Sequence, residues 1–248
     1  MRYFLTLAYR GTRYAGWQRQ PDAPNVQETL EQALATILRY PVAVTGCGRT
    51  DTGVHARYYV AHIDTEGALP STFLYSLNSV LPPDIAVYAV APVQPAAHAR
   101  FDAYERSYEY RITLRKDPFV AETDWIYPRG RQLDLEKMQA TAALFPLFSE
   151  FFPFCKTHSG VDNYACALTR SEWLAEPEEH RLTFHITSNR FLRGMVRLIV
   201  GACIQTGNGQ FSVEEVRHAL ESQTPLKKNL SVPPQGLALT AVKYPFVF

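Results

Sequence analysis

The sequence has no apolar run approaching the roughly eighteen residues of a membrane span. Its first residues, MRYFLTLAYRG, are apolar but alternate, and they lack a small-residue cleavage site, so we expect a cytoplasmic protein with no membrane partner. Cysteine is also scarce, and Cys47, Cys155, Cys166 and Cys203 show neither CxxC nor Cys/His ligand spacing. This pattern favours neither a structural zinc nor a disulfide framework, and it predicts reduced, mostly buried thiols.

An excess of charge of either sign is missing too. The formal net charge is +1 over 248 residues, which by itself gives no argument for a nucleic-acid partner. The distribution is uneven, because the first twenty residues contain Arg2, Arg10, Arg13 and Arg19 and no acid, whereas EPEE at 176–179 concentrates negative charge. A surface segregated in this way can still attract a polyanion. A hydrophobic content of 46% is that of a globular protein with a full core.

The stretch GCGRTDTGVHA at 46–56 places three glycines around Arg49, Asp51 and His55. No GxxxxGK[ST] phosphate loop is present here, because no lysine follows and the glycines precede a predicted strand. A serine triad or a Cys/His pair lacks any nucleophile elbow or recognisable signature. A metal site of Asp51, His55, His62 and Asp64 is an alternative, although no known ligand spacing is repeated.

Asp51 has two interpretations. A lone aspartate in a glycine turn usually accepts backbone N–H bonds, and His55 is interpreted in the same way, as a side chain that anchors the turn. A carboxylate with an arginine close by instead stays ionised, as a nucleophile requires. The choice therefore depends on what else the chain brings to this loop.

Hydrophobic periodicity and capping residues predict a repeated order of elements. In the first part we expect a strand in MRYFLTLAYR, a helix capped by Asn25 and Glu28 that ends near Arg39, and strands at 42–45 and from Arg57. A helix capped by Ser71 and running through Leu81, and a strand in DIAVYAVAPV, should follow. In the second part we expect strands in RSYEYRITL, CALTRSEWLA, HRLTFHIT and GLALTAVKY, and helices from Asp134 to about Leu147, at 191–205, and from a Ser212/Glu215 cap.

This β-α-β-β-α-β order is that of the split unit of ferredoxin-like folds. We predict an α+β protein of two ferredoxin-like halves that share a central, mostly antiparallel sheet, with helices on one side and a cleft between the halves. The Pro/Ala-rich, unpatterned segment 92–105 contains the boundary. The N-terminal half is then 1–98, with the GRTD loop, and the C-terminal half is 99–248.

The C-terminal half contributes arginines and aromatic residues. NRFLRGMVRLIVG places Arg190, Arg193 and Arg197 on one face of the predicted helix. Such a run is usually a solvated helix face. In the functional alternative, Arg190 and Arg193 bind phosphates and Arg197 pairs with a carboxylate. Tyr108 and Tyr110 lie on the same face of a predicted strand. Tyr110 is interpreted as a core residue, and a tyrosine ring beside a basic patch can instead stack on a base.

Five stretches together resemble the TruA family of tRNA pseudouridine synthases, in the family's order and across nearly the whole chain. They are GWQRQ at 16–20, GRTDTGVHA at 48–56, HARFDAYERSYEY at 98–110, FLRGMVRLIVG at 191–201 and GLALTAVKYP at 236–245. The resemblance implies isomerisation of uridine to pseudouridine at positions 38, 39 and/or 40 of the tRNA anticodon stem-loop, by a homodimer with a basic cleft. Substrate and product are isomers, so we expect neither a cofactor nor a metal.

The resemblance also implies residue roles. Asp51 corresponds to the nucleophile, Tyr108 to the tyrosine that packs against the target base, and Arg197 to the arginine that pairs with the catalytic carboxylate. Arg49 corresponds to an arginine used in RNA binding and base flipping, and Leu237 to a leucine that lines the pocket.

Two positions depart from the family pattern: Thr52 stands where alanine is common, and Ser107 where a second arginine is frequent, which would weaken one phosphate contact. No role is transferred to FFPFCKTHSGVDNY at 151–164, and Trp17, Gln18 and Arg19 either contact RNA or form a packed loop. Whether the aspartate adds to the nucleoside or removes a sugar proton stays open. A non-catalytic RNA-binding protein and a metal-dependent nuclease are the alternatives from other classes.

Overall fold

The computed structural model describes residues 1–156, 160, 162–228 and 230–248. In chain order its strands and helices are β1 (Arg2–Tyr9), α1 (Val26–Leu38), β2 (Val44–Gly46), β3 (His55–Asp64), α2 (Phe73–Val80), β4 (Ile85–Val93), β5 (Glu105–Thr113), β6 (Trp125–Ile126), α3 (Leu135–Ala142), β7 (Leu168–Glu176), β8 (Arg181–Ser188), α4 (Met195–Gly207), α5 (Val213–Ser222) and β9 (Leu237–Lys243). The protein is therefore α+β, with mostly antiparallel strand pairs. No helix within these described ranges is long and apolar enough to cross a membrane.

Two compact units divide the chain, and the first contains residues 1–105 and 238–248. In this unit β1 lies between β4 and β3, antiparallel to both. The short β2 pairs with residues 61–63 of β3, and β9 runs parallel to β3 at His55 and Ala56. Its core contains fully buried side chains from β1, α1 and β3: Phe4, Leu5, Leu7, Leu30, Leu34 and Tyr59. The predicted order of elements in this half is confirmed.

The second unit spans residues 106–237. Here β8 lies between β5 and β7, antiparallel to both. The two-residue β6 pairs in parallel with the end of β5, and the sequence pattern did not predict it. Aromatic and aliphatic side chains form the core of this unit: Tyr110, Phe145, Phe151, Phe154, Phe184, Ile199 and Cys203.

The predicted helix caps depend on short-range hydrogen bonds, and three of the four are confirmed. The Asn25 side chain accepts from Glu28 N at 2.8 Å, and Asp134 accepts from Lys137 N at 3.1 Å. Ser212 and Glu215 form a reciprocal capping box at the start of α5. The fourth cap is wrong, because α2 begins at Phe73 after Thr72, and no side chain caps it. Phe73 N instead donates to Pro70 O.

Other boundaries differ from the prediction for identifiable reasons. The third helix ends at Ala142 rather than near Leu147, because Pro146 lacks the N–H that the next helical turn needs. The second strand begins at Val44 instead of residue 42. The helix predicted over 191–205 begins only at Met195, since Gly194 has a left-handed φ of +71° that ends any continuous helix.

The compact units meet at residue 105, seven residues beyond the predicted boundary after 98, and residues 238–248 pack with the first unit. Hydrogen bonds explain both differences. Ala99 N donates to His62 Nδ1 at 3.1 Å, and Tyr104 N donates to Lys243 O at 3.0 Å. The hydroxyl of Tyr244 donates to Ala99 O. Segment 97–105 and the C-terminal strand are therefore tied to the first unit.

Candidate active site

The loop between β2 and β3 holds Asp51, and hydrogen bonds tie its backbone down on both sides. Trp17 N donates to Thr50 O at 3.3 Å, and the buried Thr50 hydroxyl lies 2.8 Å from the hydroxyl of Tyr9. On the other side Gly53 N donates to Tyr14 O, and Val54 N donates to the backbone oxygen of Asp51. Asp51 is half-buried between the buried Thr50 and the exposed Thr52. This loop presents a carboxylate from a fixed backbone.

His55 begins β3 with its ring buried. Its Nδ1 accepts a hydrogen bond of 2.9 Å from Gly11 N. The interpretation of His55 as an anchoring side chain is confirmed, although its partner lies in the segment after β1 and not in its own loop. The bond orients the neutral ring.

The alternative of a metal site at Asp51, His55, His62 and Asp64 fails. Across the part of the chain that the structure describes, no three His, Cys, Asp or Glu side chains are placed to hold a metal ion together. His62 Nδ1 accepts from Ala99 N, and Asp64 receives two hydrogen bonds from Arg2, at 2.9 and 2.7 Å. That pairing lowers the pKa of Asp64. The four cysteines are free thiols, three of them buried, as predicted.

Arg49 is exposed and is oriented by glutamines. Its Nε donates to Gln18 Oε1 at 3.3 Å, and Gln18 Nε2 donates to Gln27 Oε1 at 2.9 Å. Trp17 is only 2% exposed, and its ring stacks on Tyr59 with centroids 4.1 Å apart. Trp17 is thus core, whereas Gln18 belongs to the polar surroundings of Arg49.

Three of the four arginines in the acid-free first twenty residues lie beside acidic side chains. Arg2 pairs with Asp64, Arg13 pairs with Asp84, and Arg19 lies 3.2 Å from Glu28. The expected segregation of charge is therefore corrected, because acids distant in sequence meet these arginines in the fold.

Tyr108 lies on β5 in the second unit, half-buried and opposite Ile186. The ring of Phe191 meets it edge to face, with centroids 5.1 Å apart. Tyr110, two residues on, is fully buried and donates its hydroxyl to Pro233 O at 2.7 Å. The interpretation of Tyr110 as core is confirmed, and burial raises its pKa.

Arg197 lies in the first turn of α4, half-buried, and its Nε donates to Val232 O at 2.7 Å. The predicted arginine stripe on one helix face is wrong, because Arg190 and Arg193 precede Gly194 and are not helical. Asn189 Oδ1 accepts from Arg190 N in the segment before the helix. Leu237, at the start of β9, is 6% exposed. Of the residues 151–164, to which no role was assigned, 157–159 and 161 lie outside the described residues.

The predicted site residues therefore divide between the units. Arg49 and Asp51 share the β2–β3 loop of the first unit, whereas Tyr108, Arg197 and Leu237 belong to the second. Sequence reasoning missed Phe191, the ring beside Tyr108, and Arg100, which lines a cavity with Arg49. Both lie inside the quoted motifs, but no periodicity distinguishes them from their neighbours.

Known proteins are similar to this chain along most of its length. Residues 6–102 and 149–245 match a family model described as tRNA pseudouridine synthase. A "tRNA pseudouridine synthase A" of Porphyromonas gingivalis is 45% identical over 247 residues, which cover 98% of this chain and 97% of that protein. Proteins of the same name from Bacteroides thetaiotaomicron and Neisseria meningitidis are 45% and 39% identical, over 98% of this chain and 91% and 92% of their own.

Proposed function

This chain belongs to the tRNA pseudouridine synthase family and is an isomerase that acts on tRNA; we propose that it modifies uridines 38, 39 and/or 40 of the anticodon stem-loop. The reaction breaks the bond from C1′ to N1, turns the uracil and joins C1′ to C5. The proton lost from C5 is balanced by a proton taken up at N1, so substrate and product are isomers and the reaction needs no oxidant, reductant or group donor.

Asp51 is the proposed nucleophile, and the observation that carries this assignment is its position in a loop held by Thr50, Gly53 and Val54. A carboxylate on a fixed backbone keeps its position when the nucleotide binds. A group that is already in position lowers the reaction barrier because little freedom of movement is lost at that step. The carboxylate acts either by adding to the nucleoside or by removing a sugar proton.

Tyr108 is proposed to stack on the flipped target base. Extruding a base costs a few kcal/mol, and stacking on one aromatic ring contributes about 1–3 kcal/mol. The half-buried ring with Phe191 at its side supports this role, because a ring already held in place loses little freedom when the base arrives.

Three further side chains have proposed roles. Arg197 is proposed to pair with the catalytic carboxylate; its bond to Val232 O supports this role by fixing the guanidinium. Arg49 binds RNA and assists base flipping, and Leu237 lines the base pocket.

The finer architecture is proposed on similar grounds. Each unit is a ferredoxin-like half, supported in the first by the order β4-β1-β3 with β2 beside β3, and in the second by β8 between β5 and β7. The family resemblance supports a cytoplasmic homodimer.

The test uses tRNA carrying uridine tritiated at C5, since joining C1′ to C5 releases that tritium. Wild type should release it, and Asp51→Asn should abolish release while tRNA affinity stays within about threefold, a shift of under 1 kcal/mol. The matched control is Thr52→Ala, the exposed neighbour, which should remain active. Equal release by wild type and Asp51→Asn would remove Asp51 as the nucleophile. Tight tRNA binding without any release would instead indicate a non-catalytic RNA-binding protein.

A further inference from the structure

A cavity of about 150 Å³ lies in the first unit beside β2 and the loop that follows it. Two arginines, two glutamines and the backbone of two glycines contribute to its lining: Arg49, Arg100, Gln18, Gln27, Gly46 and Gly48. Among the described lining residues there is no carboxylate, so the cavity is a positively charged recess.

We infer that this cavity binds one phosphate of the tRNA backbone, with Arg49 and Arg100 as its two cationic groups. A guanidinium presents N–H donors in a planar fork that matches phosphate oxygens, and two of them around one recess fit a single phosphodiester. The inference rests on the proposed function for the identity of the polyanion, and it adds Arg100 as a binding residue.

The backbone at Arg100 is fixed by two imidazoles. His98 Nδ1 accepts from Arg100 N at 3.1 Å and from Phe101 N at 3.2 Å, and His62 Nδ1 accepts from Ala99 N at 3.1 Å. The Arg100 guanidinium lies 5.7 Å from the centre of the Phe101 ring, within range of a cation–π interaction. An exposed arginine on so constrained a segment is preorganised to bind an anion.

Arg49, the second arginine of the lining, is held by a chain of amides. Gln18 accepts from Arg49, and Gln27 accepts from Gln18. Gln27 in turn donates to Val44 O at 3.0 Å and to Glu31 Oε1 at 3.2 Å. This chain fixes the direction of the Arg49 guanidinium, and Glu31 lies at its far end, bonded to Gln27.

A nucleobase fits this lining less well than a phosphate. The Trp17 ring is 2% exposed and stacks on Tyr59, so it offers no open face to a base. Gly46 lies against that ring pair: a Cβ at this position would stand 2.1 Å from the Tyr59 hydroxyl oxygen and 2.6 Å from the Trp17 ring. The recess depends on this close approach, and its charged donors are the guanidinium groups of Arg49 and Arg100.

The experiment measures tRNA affinity against KCl concentration for wild type, Arg100→Gln and Arg100→Lys. Removing one phosphate contact lowers the slope of log K against log salt by about 1. Arg100→Gln should show that change and bind about tenfold more weakly near physiological salt, as expected for one charge-assisted hydrogen bond. Arg100→Lys should recover the slope. In tritium release, Arg100→Gln should raise KM and leave kcat within about twofold.

The matched control is Arg39→Gln, an exposed arginine at the C-terminal end of α1, twelve residues and so roughly 18 Å from Gln27 along the helix. It should leave the slope unchanged. An Arg100→Gln slope equal to that of Arg39→Gln overturns the inference, even with an active wild type. A wild type that binds tRNA but releases no tritium overturns the proposed function instead.

A second experiment replaces KCl by potassium phosphate at constant ionic strength. This change should weaken tRNA binding by wild type more than binding by Arg100→Gln. If phosphate stabilises wild type against unfolding but Arg100→Gln leaves the salt slope of tRNA binding unchanged, the recess binds free phosphate and not the tRNA backbone.

Discussion

The rings of Tyr108 and Phe191 meet edge to face, with centroids 5.1 Å apart and planes at 88°. Tyr108 is on a strand, whereas Phe191 lies in the irregular segment just before α4. Such aromatic pairs contribute about 0.5–1.5 kcal/mol beyond their buried area. We therefore expect Phe191 to affect the proposed base stack through the orientation of Tyr108.

Replacing Phe191 tests this positioning role. Phe191→Ala should lower kcat/KM for tRNA by about tenfold, because a loss near 1.4 kcal/mol in holding the stacking ring appears in the transition state. Phe191→Tyr keeps the ring edge and should stay near wild type. Single-turnover tritium release measures both, with Phe119→Ala, a 95% exposed ring, as control. A wild-type rate in Phe191→Ala would show that Tyr108 needs no such support.

His55→Ala should destabilise the protein by about 1–3 kcal/mol, because Gly11 N would remain buried without its acceptor. Urea unfolding at neutral pH measures the change. His218→Ala, an exposed histidine on α5, is the control and should cost under about 0.5 kcal/mol. Equal stability of the two variants would contradict the anchoring role of His55.

Gly46→Ala should destabilise the first unit by about 1–3 kcal/mol, since the added methyl group has no room between Tyr59 and Trp17. The control is Gly67→Ala, where a Cβ would meet nothing within 4 Å. Urea unfolding followed by far-UV circular dichroism compares the two variants. An unchanged midpoint for Gly46→Ala would show that the rings move aside without cost.

The stability of the protein should fall as pH decreases from about 6.5 to about 4. Burial first, and then the charges of Arg2 and His98, lower the pKa of His62 from 6.5 to about 4. Between pH 6.5 and pH 4, His62 binds a proton in the unfolded chain but not in the folded protein. The free energy of unfolding therefore decreases as the solution is acidified. The decrease in the unfolding free energy is on the order of 3 kcal/mol below about pH 4 and is absent well above pH 6.5.

Unfolding free energies at pH 7.5, 6.0 and 4.5 check this dependence. His62→Asn keeps a side-chain acceptor near Ala99 N but removes the titrating ring. The variant should start less stable at pH 7.5 and lose less stability on acidification. Parallel pH profiles for the variant and wild type would assign the acid sensitivity to other groups.

Elements defined by neighbouring residues could be predicted from the sequence. The Asn25 and Ser212 caps and the strands β1 and β8 follow from short-range hydrogen bonds and from alternation of apolar side chains. The helix α4 could not be placed correctly, because the apolar stripe continues back to Phe191 while the conformation of Gly194 interrupts it. For the same reason the prediction that Arg190, Arg193 and Arg197 share one helix face was wrong.

By itself, then, the sequence determined the kinds and order of the elements, the loop that carries Asp51, and the family. These depend on local propensity and on motifs read along the chain. Only the tertiary structure decided which charges are neutralised and which side chains share a cavity. Arg2 meets Asp64 and Arg100 joins Arg49 across more than fifty residues of chain, and no periodicity encodes such distant pairs. Long-range contacts are set by how strands pair and pack, and they made a basic recess out of residues that look unrelated in sequence.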